Sequence, residues 1–170
     1  MILPIIKYGD PRLATPAEEV EEIDDEIRKL VEDMFETVYN EPGVGLAANQ
    51  VGVLKRAAII DLSIGEDPNA PLVLINPEII EKEGEQATEE GCLSFPEIEI
   101  EITRPERLVV KALDLEGEEF TLEASNLLAR AICHEIDHID GKVIVDHQTG
   151  LAKQMTLTMI KRLKRQGKWD

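Results

Sequence analysis

The sequence predicts an α+β domain, in which strands are grouped between helices rather than alternating with them one by one. Three observations carry this reading. Apolar residues recur at helical spacing over 24–40, 125–140 and 151–166. The segment 98–102, Ile-Glu-Ile-Glu-Ile, alternates strictly, as a half-buried strand does. The runs 107–113 and 118–124 flank Asp114, Glu116 and Gly117, which makes them a hairpin or meander.

The first helix, 24–40, presents Ile27, Leu30, Val31, Met34 and Val38 on one face, with Ile23 just before it. Asp24 or Asp25 can cap its start, and Pro42 and Gly43 end it. Residues 57–62 and 72–76 are short aliphatic runs between turn residues and read as strands. By composition alone, Gly43–Gln50 reads as a turn followed by a buried strand of small residues. The second helix begins near Ser125 and stops at Gly141. The third places Met155, Met159, Ile160 and Leu163 on one side. No repeat or linker interrupts the chain. Residues 1–170 are therefore expected to form one domain, with antiparallel strands around a central helix and a further helix towards each end.

Composition narrows the function classes. Hydrophobic residues make up 43% and aromatics only 4%, so Ile, Leu, Val and Ala must supply most of the core. A net charge of -17 argues against broad nucleic-acid binding, DNA included. The charge is uneven: residues 153–170 contain Lys153, Lys161, Arg162, Lys164, Arg165 and Lys168 against the single acid Asp170. A solvated helix face, with cations suiting the helix C-terminus, accounts for this more simply than a docking tail does. No basic-then-apolar leader and no membrane-length apolar run is present, so a cytoplasmic protein is expected. In that compartment Cys92 and Cys133 are expected to be buried or metal-binding rather than disulfide-bonded.

The sharpest local signal is His134-Glu135-Ile136-Asp137-His138. Histidines four apart on a helix lie one above the other and can grip one metal ion, with the glutamate beside it as proton-transfer base. Such an ion brings the pKa of a bound water down towards 7. On a helical wheel with His134 at zero, His138 falls at roughly 40° and Glu135 at roughly 100°. Leu128, Ile132, Ile136 and Ile139 span roughly 120–200°. Asn126, Arg130, Asp137 and Asp140 occupy the opposite arc. The histidines thus border the buried side, which favours an enclosed metal over two solvated rings.

A catalytic site of this type needs a third protein ligand and an open position. Metzincin proteases place a third histidine where this chain has Ile144, and thermolysin-like proteases use a downstream glutamate, of which none follows Glu135. Asp146 or His147 would need a tight fold-back. Cys133 falls at roughly 260° on the wheel, among polar residues, and is better read as a small packed side chain. Cys92, between Gly91 and Leu93, offers a sulfur donor suited to zinc or ferrous iron. Taken alone, a cysteine here is more often a small buried side chain.

Three segments together resemble one family. Gly43-Val44-Gly45-Leu46-Ala47-Ala48-Asn49-Gln50 resembles the GxGLAAxQ motif of peptide deformylases, Glu90-Gly91-Cys92-Leu93-Ser94 their EGCLS motif, and His134–His138 their HExDH motif. They stand in the family's order and spacing, and Pro4, Arg104-Pro105 and 127–131 also fit. The resemblance implies removal of the N-formyl group from the initiator methionine of nascent chains. It implies that Cys92, His134 and His138 hold one divalent metal, Fe(II) in cells and often Zn(II) or Ni(II) in purified material. Glu135 would be general base and acid, with the Gln50 side chain and the Leu93 N–H as oxyanion donors. Gly43, Val44, Gly45, Glu90 and Gly91 would bind N-formylmethionyl peptides, the glycines holding the substrate backbone extended and Val44 lining the methionine pocket. A monomer is expected. Some family members dock on ribosomal RNA, which the basic C-terminal helix would allow.

The chain departs from the family pattern twice. Cys133 stands where glutamine is usual, and Val143-Ile144-Val145-Asp146-His147 replaces the usual LFID followed by arginine. The motif HExxH alone would also serve a small endopeptidase, and a closed four-ligand metal would serve a purely structural site.

Overall fold

In the computed structural model, which describes residues 1–169, helix α1 (Asp25–Tyr39) opens on Asp24, whose carboxylate accepts the Ile27 N–H. Its buried face, Ile27, Val31, Met34 and Val38, is the face the periodicity predicts. The chain then forms a short strand β1 (Gly45–Ala47), a tight turn over Ala48–Val51, and strands β2 (Ala57–Ile60) and β3 (Leu72–Glu83). Strands β4 (Gln86–Cys92), β5 (Phe95–Arg104), β6 (Arg107–Leu113) and β7 (Glu119–Ser125) follow. Helices α2 (Asn126–Ile139) and α3 (Gly150–Arg165) close the fold.

The strands form two sheets. One has five strands in the order β1-β2-β3-β6-β7, and the other is the β4–β5 hairpin; the strand pairs in both are antiparallel. Every residue of β2 is buried, because the five-stranded sheet is covered on both faces. Ala57 and Ile59 pack with α1 residues, while Ile60 packs with Ala129, Ile132 and Ile136 of α2. Helix α2 also meets β5. It therefore lies between the two sheets, and that position buries Arg130 and half-buries Asp137 on its polar arc, while Asn126 and Asp140 at its ends stay exposed.

Strand β3 is longer than the sequence suggests. Pro77 reads as its end, yet the strand continues through a bulge between Ile75 and Glu78. There Asn76 adopts φ 49° and its side-chain amide bonds both the N–H and the carbonyl of Val20. The third helix also differs from expectation. Ile160 and Leu163 are buried, but Met155 is 64% exposed and Met159 37%. The buried arc of α3 runs through Leu157, Ile160 and Leu163, and Met155 lies off it. Trp169 anchors the end of the chain, edge-on to Phe95 and donating from Nε1 to the Tyr8 carbonyl.

Asp61 secures the strand that borders the site. Its backbone N–H reaches the Val44 carbonyl at 2.7 Å, and its carboxylate accepts Ser63, Gly65 and, at 2.5 Å, the Tyr39 hydroxyl. Partial desolvation of the phenol where it meets Asp61, with the hydrogen bond and charge of Asp61 adding to it, pushes the 39% exposed Tyr39 up to about 12. The unfolded phenol ionises near 10, so this group favours the fold up to that pH and ceases to between about 10 and 12. Urea midpoints of the Tyr39→Phe variant should therefore fall less steeply with alkali than wild type. Parallel curves would remove Tyr39 from the alkaline transition.

Candidate metal centre

Helix α2 carries His134, Glu135 and His138, and its geometry sets the two imidazoles edge-on to one another with ring centroids 5.0 Å apart. Burial by both sheets leaves His138 1% and Glu135 4% exposed. Cys92 closes β4, just before the turn at Leu93–Ser94. That turn brings Cys92 Sγ to 3.3 Å from His138 Nε2. One donor atom from each of Cys92, His134 and His138 falls within 4.8 Å of the others. The other sulfur and the third histidine lie elsewhere. Cys133 is buried beside Ile132 and Ile136, where burial pushes its thiol up to about 11. His147 turns to Asp137, at 2.8 Å.

Beneath the three donors lies an ionic network centred on Glu90. Its carboxylate accepts Arg104 Nε and Nη2, each at 3.0 Å, and Arg130 Nη1, and it meets His134 Nδ1 at 3.0 Å. Arg104 continues to Asp137 at 2.6 Å. Burial works against the charge on Glu90, but the bonds from His134 and Arg104 overcome it and hold the carboxyl at about 2. An ionised carboxylate can only accept, so His134 Nδ1 carries a proton, and Nε2 is the nitrogen left for a metal. Expected to touch substrate, Glu90 thus has both side-chain oxygens engaged with protein groups, while Glu90 and Gly91 still line the cleft. The motif reading missed Arg104, Arg130 and Asp137 as parts of the site. A signal for Arg104 existed: Ile98, Ile100, Ile102 and Arg104 share the buried phase of β5.

Glu135 lies over Gly45. A Cβ added at Gly45 would meet Glu135 Oε2 at 2.6 Å and the Ile59 carbonyl oxygen at 3.2 Å, so only glycine admits the carboxylate. Glu135 Oε1 is buried without a hydrogen-bond partner among the described residues. Burial pushes this carboxyl up to about 7, despite the opposing charges of His134 and Arg104. Gln50 is fixed by both ends of its amide. Oε1 accepts the Ala47 N–H at 3.0 Å, so Nε2 faces Ser94 Oγ at 3.1 Å and Cys92 Sγ at 3.6 Å. The segment 5–8 holds this arrangement, with Ile6 N–H on the Gln50 carbonyl and Tyr8 N–H on that of Ser94.

The donors fit a divalent transition metal. One sulfur and two imidazole nitrogens converge, and an unpartnered carboxylate oxygen lies beside them. The charges agree. Burial disfavours a cation at His134, but Glu135, Cys92 and Glu90 outweigh it and raise its proton affinity, whereas burial with His134 and Arg104 lowers that of His138. A cleft of about 820 Å³ opens onto the group, lined by Gly43, Val44, Gly45, Gln50 and Leu93 among others.

Three converging donors beside a buried glutamate on an HExxH helix define a metallohydrolase class of site. Comparison with known proteins specifies it. The polypeptide deformylase family matches residues 2–154. A peptide deformylase of Acidobacterium capsulatum is 48% identical over 169 residues, 99% of each chain. The crystal structure of a peptide deformylase from Legionella pneumophila superposes with a TM-score of 0.92 at 40% identity, covering 98% of both chains. A deformylase from Ehrlichia chaffeensis, solved in complex with actinonin, gives a TM-score of 0.87 at 38% identity over 96% of this chain and 98% of that one. The chain belongs to the polypeptide deformylase family.

Proposed function

We infer that this chain performs its family's reaction, hydrolysis of the formyl amide at the N-terminal methionine of nascent polypeptides, as one catalytic domain with Cys92, His134 and His138 as metal ligands. The observation that carries this is the convergence of those donors beside the unpartnered oxygen of Glu135. A divalent ion held there, Fe(II) in our reading with Zn(II) or Ni(II) as substitutes, supplies Lewis acidity and makes a water nucleophilic near neutral pH. Glu135 takes the proton of the attacking water and returns it to the departing amine nitrogen, releasing formate and a free N-terminus. Gln50 Nε2 and the Leu93 N–H donate to the formyl oxygen as charge develops on it. Gly43, Gly45, Glu90 and Gly91 offer backbone to an extended peptide, and Val44 borders the methionine side chain. Glu90 also acts through His134, which it orients.

Formate release from formyl-Met-Ala-Ser by the Fe(II)- or Ni(II)-loaded protein tests this reading, and cleavage of internal bonds in unformylated peptides would replace it with a protease. Gly45→Ala should lower kcat/KM about a hundredfold by displacing Glu135, with metal content unchanged. Activity equal to wild type would show that the contact at Gly45 does not position the base.

The same reading extends to location and partners. Among the described residues no helix is long and apolar enough to cross a membrane. Our reading places the chain in the cytoplasm, as a monomer acting on chains as they leave the ribosome. The basic face of α3 is our candidate ribosome contact: Lys161, Arg162, Lys164 and Arg165 are exposed, whereas Asp170 lies outside the described residues. Deleting 153–170 would remove the buried Trp169, so charge substitution is the cleaner test. Replacing those four cations by glutamine should weaken co-sedimentation with ribosomes at low salt and leave turnover of tripeptides intact. Unaltered co-sedimentation would remove the docking role.

A further inference from the structure

The chain after α2 turns back and sets the third histidine against the ion network. Residues Ile144–His147 form a single helical turn, closed where Asp146 Oδ2 accepts the Val143 N–H at 2.9 Å. Ile144 and Val145 are buried with Phe95, Ile100 and Ile102 of β5. Those contacts fix the backbone of the turn, and His147 is its last residue.

His147 Nε2 lies 2.8 Å from Asp137 Oδ2, the same oxygen that accepts Arg104 Nη1 at 2.6 Å. A carboxylate oxygen bonded to a guanidinium acts as an acceptor, so the proton of the second bond comes from His147 Nε2. The other edge of Arg104, Nε and Nη2, forks onto Glu90, whose Oε1 also meets His134 Nδ1. His147, Asp137, Arg104, Glu90 and His134 are thus one unbroken series of hydrogen bonds from the surface to a metal donor. In an interior shielded from water the members of such a series strengthen one another.

The outer end of the series has little redundancy. Arg130 grips Glu90 from a second side, but the side chain of Asp137 has only Arg104 and His147 as partners among the described residues. Without His147, Asp137 is free to turn towards water. Arg104 then loses the fixed anchor that sets its angle, and Glu90 the fixed direction in which it meets His134. A purely structural His147 would only tie the turn to α2, and that turn is already held by Ile144, Val145 and Asp146.

We propose that His147 is a positioning residue for the metal ligand His134, acting through Asp137, Arg104 and Glu90. This role rests on His134 being a ligand, as inferred above, and adds a side chain outside all three motifs.

The test loads the full chain, His147→Leu and His147→Gln with Co(II). Visible absorption reads the geometry of the ion, and the rate of its removal by a chelator reads how firmly it is held. Leucine fills the space but cannot donate, whereas the glutamine amide can place Nε2 near the position of the imidazole Nε2. His147→Leu should shift the Co(II) bands and release the ion about threefold to tenfold faster, less than the loss expected for a group that touches the ligand directly. His147→Gln should restore both. Should His147→Leu melt well below wild type in urea, His147→Ala takes its place in the comparison with His147→Gln. Equal spectra and release rates in all the proteins overturn the positioning role and leave the metal assignment standing. A glutamine variant that behaves like the leucine one also overturns it. Wild type that takes up no Co(II) overturns the ligand assignment instead, and this role with it.

Discussion

Glu135→Gln should lower kcat for formate release by between about a hundredfold and ten-thousandfold, the range lost when a positioned acid–base group is removed. The amide keeps the shape of the carboxylate but cannot take a proton from water. Metal content should persist, because Glu135 is not among the converging donors Cys92, His134 and His138. Stability should stay level or rise. Glu135 is 4% exposed and one of its oxygens has no partner, so the folded protein now carries the cost of burying an acid. That combination separates a catalytic role from a structural one: a structural glutamate would lose stability and activity together. A variant within a few-fold of wild-type kcat would remove Glu135 from the proton transfers.

Arg104→Ala should be the most damaging substitution for stability outside the apolar core. Arg104 is 5% exposed and bonds both Glu90 and Asp137. Its removal leaves two carboxylates packed without that cation, a situation that costs about 3–5 kcal/mol. For a chain of this length that corresponds to a fall in Tm of roughly 6–20 °C. The exposed Arg107–Glu83 pair makes the contrast, since Arg107→Ala should cost at most about 1 kcal/mol. Function should follow stability by a separate route. Glu90 orients His134, so a displaced Glu90 should weaken metal affinity by about tenfold to a hundredfold. Urea melts and metal competition with a chelator read the two effects. Arg104→Lys should recover part of the stability but not the two-point grip on Glu90. If Arg104→Ala melts like Arg107→Ala, the network is an ordinary surface array.

Much of this fold is local in origin and could be read from the chain. The apolar spacing of α1, the alternation of 98–102 and the turn at Asp114–Gly117 each dictate their element without help from distant residues. What could not be read depends on what packs against what. Strand β4 has few apolar residues and only Glu90 fully buried, so nothing in Gln86–Cys92 announces a strand; its pairing with β5 makes it one. Strand β3 crosses Pro77 because the bulge at Asn76 is stabilised by Val20, 56 residues away. Met155 is exposed because the core meets α3 along Leu157, Ile160 and Leu163, a choice of arc that the helix's own periodicity did not specify.

The site divides in the same way. His134, Glu135 and His138 follow from four-residue spacing on a helix. Cys92 was one of several sulfur or carboxylate options until the turn after β4 brought Sγ to 3.3 Å from His138. The wheel placed Arg130, Asp137 and Cys133 on a polar arc. A second sheet against that arc turns the first two into a buried ion network and Cys133 into packing. A single helix cannot reveal that its polar side will also be covered.

The most direct test of the account is X-ray absorption at the metal edge of protein loaded anaerobically with Fe(II) or Ni(II). It should show one sulfur and two imidazole nitrogens from the protein, and Cys92→Ser should lose the sulfur component. A coordination sphere without sulfur, or one unchanged in Cys92→Ser, would contradict the assignment of Cys92, His134 and His138.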